Sequence, residues 1–301
     1  MPSFKELIAT KSKRLEDIPL KLQTLIQKQQ QEVLNGIIEK LNGLSLKNGA
    51  YEISPANIKV IGEISEELRS VFLNEDYLKG VRQFASEFDK QAIINDALIK
   101  TGFGSVENSI ASKLYIQNAK KSAIEALAGG AIDTQFVKPL QGILENSVVN
   151  GASFKETLSS ITEFVKGNEK VDSRILKYAK QITNDSFAIA DRSYTSLVSE
   201  ALGTEWFYFS GSEVNTTRCF CQQRVGNYYH YLEIESWGNG ENLGECNIGN
   251  GLWAGEIPGT NSATIYSYLG GYNCMHSLMP VSIDIVPESD IQRAKQLGFI
   301  D

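Results

Sequence analysis

Apolar residues recur at three-and-four spacing through residues 1 to about 203. Between Leu15 and Leu44, the positions Leu22, Leu25, Ile26, Val33, Leu34, Ile37, Ile38 and Leu41 fall on one side of a helix, with Gln and Lys between them. The QKQQQ run, Gln27 to Gln31, reads as the wet face of that helix. The stretch LKNGAYEISPANIKVIG, Leu46 to Gly62, replaces the pattern with turn formers and short alternation, which predicts a hairpin or extended connection. Helical spacing resumes from Ser65 to about Lys100, breaks at TGFG (Thr101 to Gly104), runs again from Val106 to Leu127 and stops at Gly129-Gly130.

Cap chemistry sets the next boundaries. Asp133 or Thr134 can accept from the free amides of a helix reaching about Asn150, with Gly151 closing it. Ser153 and Glu156 fit a capping box, in which each side chain satisfies the other residue's backbone N–H, and Gly167 ends that helix. A longer helix is predicted from about Ser173 to Leu202, with Leu176, Ala179, Ile182, Ala190, Leu197 and Ala201 on one side.

After Gly203 the pattern changes: residues 204 to 285 hold all three Trp, all four Cys and both His. Strands are expected at WFYFSG (Trp206 to Gly211), TIYSYLGG (Thr264 to Gly271) and LMPVSIDIV (Leu278 to Val286). HYLEIESWG (His230 to Gly238) reads as a helical turn, and Ser289 to Gln292 as a capping box opening a last helix. The expected fold is α+β: a mostly helical first two-thirds and a small β-containing module rich in aromatic, Cys and His residues. Three blocks follow: an arm with its connection (1–62), a helical domain (63–203) and the compact module (204–301).

Composition narrows the function classes. The 301 residues carry 29 Lys+Arg against 36 Asp+Glu, a formal charge of −7, which leaves no basic surplus for holding nucleic acid along a broad face. No apolar run approaches the roughly 20 residues needed to cross a bilayer, and the first residues lack the apolar core of a signal peptide. Four Cys in a chain this long do not make a disulfide scaffold, so synthesis in a reducing cytoplasm is expected.

The soft ligands lie together. Cys219, Cys221, His230, Cys246, Cys274 and His276 are every Cys and His in the chain and span 58 residues. A tetrahedral zinc set of Cys221, His230, Cys274 and His276, or one including Cys219, is chemically feasible. Against it, C-x-C and C-x-H leave one intervening residue where structural zinc loops usually have two to four. A disulfide from Cys219 or Cys221 to Cys274, and buried reduced thiols packing as small hydrophobes, are the alternatives, and the sequence leaves all three open. A Cys–His catalytic pair lacks an identifiable orienting acid. Arg218 is expected to pair with a carboxylate such as Glu233 or Glu235, and the many aromatics, Trp253 among them, to build the module's core. There is no phosphate-binding G-x-x-x-x-G-K-[ST], no G-x-S-x-G nucleophile elbow and no H-E-x-x-H.

Several motifs in order carry a resemblance over residues 132 to 285: GASFKETLSSI, the long helix, WFYFSG, TTRCFCQQRVGNYYH, WAGEIPGT and GGYNCMHSLMPVS. Together they resemble the minor head or head-morphogenesis proteins of tailed bacteriophages, the Mu F-like family. The resembling positions are Thr217, Arg218 and Cys221; Gly226, Asn227 and Tyr228; and Cys274, His276, Pro280 and Val281, and Cys219, Trp253 and Gly271 within the same motifs are expected to be structural. The common family form has C-x-x-C or a lone Cys after the Arg and an H-P-x-C-R-C closure, where this chain has C-x-C and N-C-M-H. The resemblance implies a non-enzymatic virion protein near the portal, acting in head assembly. Its partners would be portal, capsid or scaffold proteins, with packaged DNA nearby but not bound by sequence. Assembly would take place in the host cytoplasm, without a membrane and with oligomerisation through the Leu22 to Leu41 stripe as an option. The alternative from another class is a metal- or Cys-dependent enzyme, a toxin or nuclease-like effector on a phage-type carrier.

Overall fold

A computed structural model of the chain describes residues 3–104, 110–168 and 171–301. In chain order the elements are α1 (Phe4–Leu41), β1 (Leu46–Lys47), β2 (Ala50–Tyr51), α2 (Pro55–Phe72), α3 (Glu75–Phe103), α4 (Ile110–Ala128), α5 (Gly130–Ile132), α6 (Lys138–Val149) and α7 (Phe154–Lys166). They continue with β3 (Gly167–Asn168), β4 (Val171–Asp172), α8 (Arg174–Ala201), β5 (Trp206–Ser210), α9 (Cys219–Gln222), β6 (Tyr228–His230) and α10 (Tyr231–Gly238). Last come α11 (Ile265–Tyr268), β7 (Ser277–Val281) and α12 (Glu288–Gln296). The fold is α+β with a helical majority. Its compact units are not consecutive in sequence, because long helices contribute to both: one comprises Pro19–Ala85 and Lys121–Thr183, the other Met1–Ile18, Ser86–Lys120 and Asn184–Asp301.

In the first unit the α1 stripe behaves as its spacing requires: Leu22, Ile26, Val33, Leu34, Ile37 and Leu41 are buried. Gln29 and Gln30 depart from the wet-face expectation, since both are buried. Hydrogen bonding compensates: Gln29 Oε1 accepts from Asn74 Nδ2 at 2.9 Å, and Gln30 Nε2 donates to the Val165 carbonyl at 2.7 Å and to Ser173 Oγ. The expected hairpin forms at β1 and β2, turned by Asn48 and Gly49, both at positive φ as an Asn-Gly turn demands. The extended reading fails beyond it, because Ser54 caps the amide of Asn57 and Pro55 occupies the first helical turn, so α2 starts there. Neither Asp133 nor Thr134 serves as the expected N-cap. Instead Asp133–Val137 is a π-helical segment running into α6, and Asp133 pairs with Arg69 at 2.9 Å. The Ser153–Glu156 capping box is present in both directions, and Gly167 closes α7 at φ 74°. The expected helix start at Val106 lies outside the described residues.

The second unit is organised around a three-stranded antiparallel sheet, β6–β5–β7. Central β5 is covered on both faces: Phe207 and Phe209 join an aromatic core with Phe220, Tyr229, Trp237 and Trp253, while Trp206 packs with Val281, Val286 and Ala294. Pro280 sits opposite Phe207 in β7, an edge strand where a missing N–H is tolerated. The expected strand at TIYSYLGG is instead the short helix α11, and LMPVSIDIV forms a strand only to Val281. The segment YYH pairs with β5 as a strand that period counting overlooks because it is three residues long. Ser289 does not cap the last helix; it lies inside α12, whose flanking residue is Pro287.

Candidate metal centre

Two segments converge on one buried point. Cys221 lies in α9, whose N-cap residue is Arg218; Cys274 and His276 lie between the turn at Tyr272-Asn273 and β7. Cys221, Cys274 and His276 are 2%, 4% and 6% exposed. The two sulfurs are 3.7 Å apart, Cys274 Sγ lies 3.8 Å from His276 Nδ1, and all three ligating atoms are within 4.8 Å of one another. Two thiolates at about 2.3 Å from a tetrahedral zinc ion would stand roughly 3.8 Å apart, and a thiolate–imidazole pair roughly 3.6 Å apart. Two of the three pairs already have the spacing of donors to one ion, and the third, Cys221 with His276, lies within 4.8 Å, so a side-chain adjustment of about an ångström would close the set.

Cys274 and His276 point to one place despite the single residue between them, because the peptide carrying them is fixed from outside. On α8, Arg192 donates from Nη1 to the carbonyls of Cys274 (2.8 Å) and His276 (3.2 Å) and from Nε to that of Ser267 (2.6 Å), while Asp185 accepts from the Asn273 amide at 2.5 Å. Arg218 donates to the carbonyls of Gly270 and Tyr272, tying the start of α9 to the same turn. The expected pairing of Arg218 with Glu233 or Glu235 is not formed; Glu233 faces Arg293 at 3.4 Å instead. The carbonyls win because they lie within the fork of the guanidinium at the module's seam. Two glycines make room. A Cβ at Gly270 would lie 2.3 Å from Cys221 Sγ and 2.9 Å from Cys274 Sγ, and one at Gly271, already at φ 90°, would meet the Gly255 carbonyl at 1.8 Å.

Electrostatics favour a shared charge. Cys221 and Cys274 titrate as a pair: the hydrogen bond from Cys221 lowers the Cys274 thiol well below its ordinary value, helped by His276 and Arg192, and the same bond with burial pushes Cys221 up. A cation would replace that one proton and draw both sulfurs to thiolates. His276 Nε2 is buried without a hydrogen-bond partner.

The sequence-proposed ligand set is corrected in two places. His230 is not part of the cluster: it sits in β6 opposite Trp206, its ring 5.4 Å from the indole and 4.6 Å from that of Tyr231. Strand alternation sends it to the face opposite Tyr229, and burial depresses its imidazole below the ordinary value. Cys219 is bonded to Cys246, tying α9 to the turn at Gly244–Cys246, so neither Cys219 nor Cys221 is joined to Cys274. Of the other motif positions, Gly226 at φ 85° donates to the Phe209 carbonyl at 2.9 Å in the turn before β6, and Trp253 stacks on Phe220 with ring centres 4.5 Å apart. Both are packing and turn residues.

Cys221, Cys274 and His276 also line a cleft of about 320 Å³, together with Arg218, Thr216, Thr217, Asn273 and Glu16. Sequence reasoning did not reach Arg192, Gly270 or Glu16. The Asp191-Arg192 pair inside the small-residue run FAIADRS, and the Gly-Gly ahead of N-C-M-H, were the available signals. No family model, no curated protein and no solved structure matches the chain.

Proposed function

We propose that this chain is a structural protein of a tailed bacteriophage or prophage, a minor head or head-morphogenesis protein working beside the portal, without enzymatic turnover. The observation that carries the reading is how positions within the resembling motifs are used. Arg218, Cys221, Gly271, Cys274 and His276, distributed over residues 218 to 276, meet at one seam, and the Arg and Gly are consumed in closing it. Residues whose order resembles a head-protein family thus act as the latch of a rigid docking module. Within the same reading the Cys221–Cys274–His276 cluster takes Zn2+, which fixes the latch by coordination. Portal, capsid or scaffold subunits would be the partners. The net negative charge suits proximity to packaged DNA without adhesion to it.

No helix among the described residues is long and apolar enough to cross a membrane. Mass spectrometry of purified tailed particles from the source tests the proposal. The chain is expected in few copies per particle and in portal complexes pulled from lysates; its absence from both would overturn the assignment.

A further inference from the structure

We infer that the metal position is open, and that its fourth coordination direction takes a carboxylate supplied from outside the chain. This deepens the zinc reading above and rests on it. Zinc takes four ligands, and sites that recruit only three protein donors keep an exchangeable position. Among the described residues only Cys221, Cys274 and His276 come together as donors, and the other two cysteines are committed to each other. The three donors border the 320 Å³ cleft, so the missing direction has room for a ligand larger than water.

The cleft's chemistry selects the ligand. Two thiolates cancel the charge of a divalent ion, so the cleft's field comes from its other walls. Arg218 supplies a permanent positive charge there, and Thr216 and Asn273 supply polar groups. A carboxylate satisfies both demands: one oxygen gives its lone pair to zinc as the bound water leaves, and the negative charge faces the guanidinium. Among the described residues lining the cleft, Glu16 is the one carboxylate this chain offers; it is exposed, and it lies outside the group of ligating atoms gathered within 4.8 Å. The donor therefore comes from a partner's acidic side chain, a free C-terminus or a small organic acid, which share this chemistry.

The full chain, stripped of metal and reloaded with Co2+, reports the coordination through its visible ligand-field bands, with acetate as the probe. Uptake of one cobalt per chain, with bands that move saturably on adding acetate in wild type and in Glu16→Gln alike, is the expected result. Bands that ignore acetate would overturn the open position while leaving the metal site standing. A spectrum altered by Glu16→Gln before any acetate is added would assign the fourth donor to this chain and overturn the external source. Failure to take up cobalt or zinc would remove the zinc reading itself, and this inference with it.

Discussion

Two buried polar centres lie in the same unit, and they are built on opposite principles. At the first, Lys11 and Asp191 form a fully buried ion pair at 3.0 Å. Asp191 Oδ1 accepts from Gln91 and Asn95 at 2.9 Å each, and Oδ2 from Ser277 at 2.8 Å besides Lys11; Lys11 also donates to Asn95 at 2.9 Å and Thr195 at 3.4 Å. Every donor of the ammonium and both carboxylate oxygens are spent. Burial alone would push the Asp191 carboxyl up, but Lys11 and the two amides outweigh it and hold the group below its ordinary value. At the second centre, two sulfurs and an imidazole converge with a ring nitrogen unpartnered and a cleft beside them. A closed network specifies a fold; converging donors that border an open cleft leave room for a group that completes them.

The comparison breaks most visibly at the closed centre. Lys11→Met leaves the Asp191 carboxylate buried without its counter-charge, and a loss of about 3–5 kcal/mol is expected in urea unfolding. Metal content per folded chain should not change. A variant as stable as wild type would show that the pair is not the closed unit described.

Next in size is the disulfide. With its ends 27 positions apart, Cys246→Ser should cost about 3.5 kcal/mol through the freed loop, while zinc stoichiometry stays the same. Loss of metal in this variant would mean that Cys246 or Cys219 belongs to the ligand set. Gly270→Ala acts on the open centre: its backbone needs no positive φ, and the atoms nearest the added methyl belong to Cys221 and Cys274. Zinc affinity should fall at least about tenfold, a change of about 1.4 kcal/mol, in a competition titration against a chelator. Unchanged affinity would contradict the placement of both thiols around one ion.

The smallest effect separates the two histidines. Burial lowers the His230 imidazole below its usual 6.5, so below that pH the unfolded chain takes up the proton first and stability falls with acidification. Above 6.5 the group contributes no slope. His230→Gln should flatten the dependence between pH 7 and 5 relative to wild type while keeping the metal; an identical slope in the two proteins would show that His230 is not held neutral by its surroundings.

What the sequence made legible follows from what is local. The α1 stripe, the Asn48-Gly49 turn, the Ser153–Glu156 box and β5 depend on neighbours within a few positions, and each appears where spacing put it. The misreadings depend on partners far along the chain. Gln29 and Gln30 look solvated until Asn74, Val165 and Ser173 arrive to bond them. TIYSYLGG has the β-branched and aromatic content of a strand, but its side chains are wanted by the aromatic core at helical spacing. For the cluster, residue types name Cys221, Cys274 and His276, whereas loop-length rules speak against a convergence that Arg192 and Gly270 allow. His230 was included because composition alone cannot tell which face of a short strand a side chain takes.

X-ray absorption at the zinc edge on the 301-residue chain reads the coordination shell itself. The account predicts one zinc per chain, with two sulfurs at about 2.3 Å and lighter N or O donors at about 2.0–2.1 Å. A shell of three or four sulfurs, or a folded chain that binds no zinc, would contradict it.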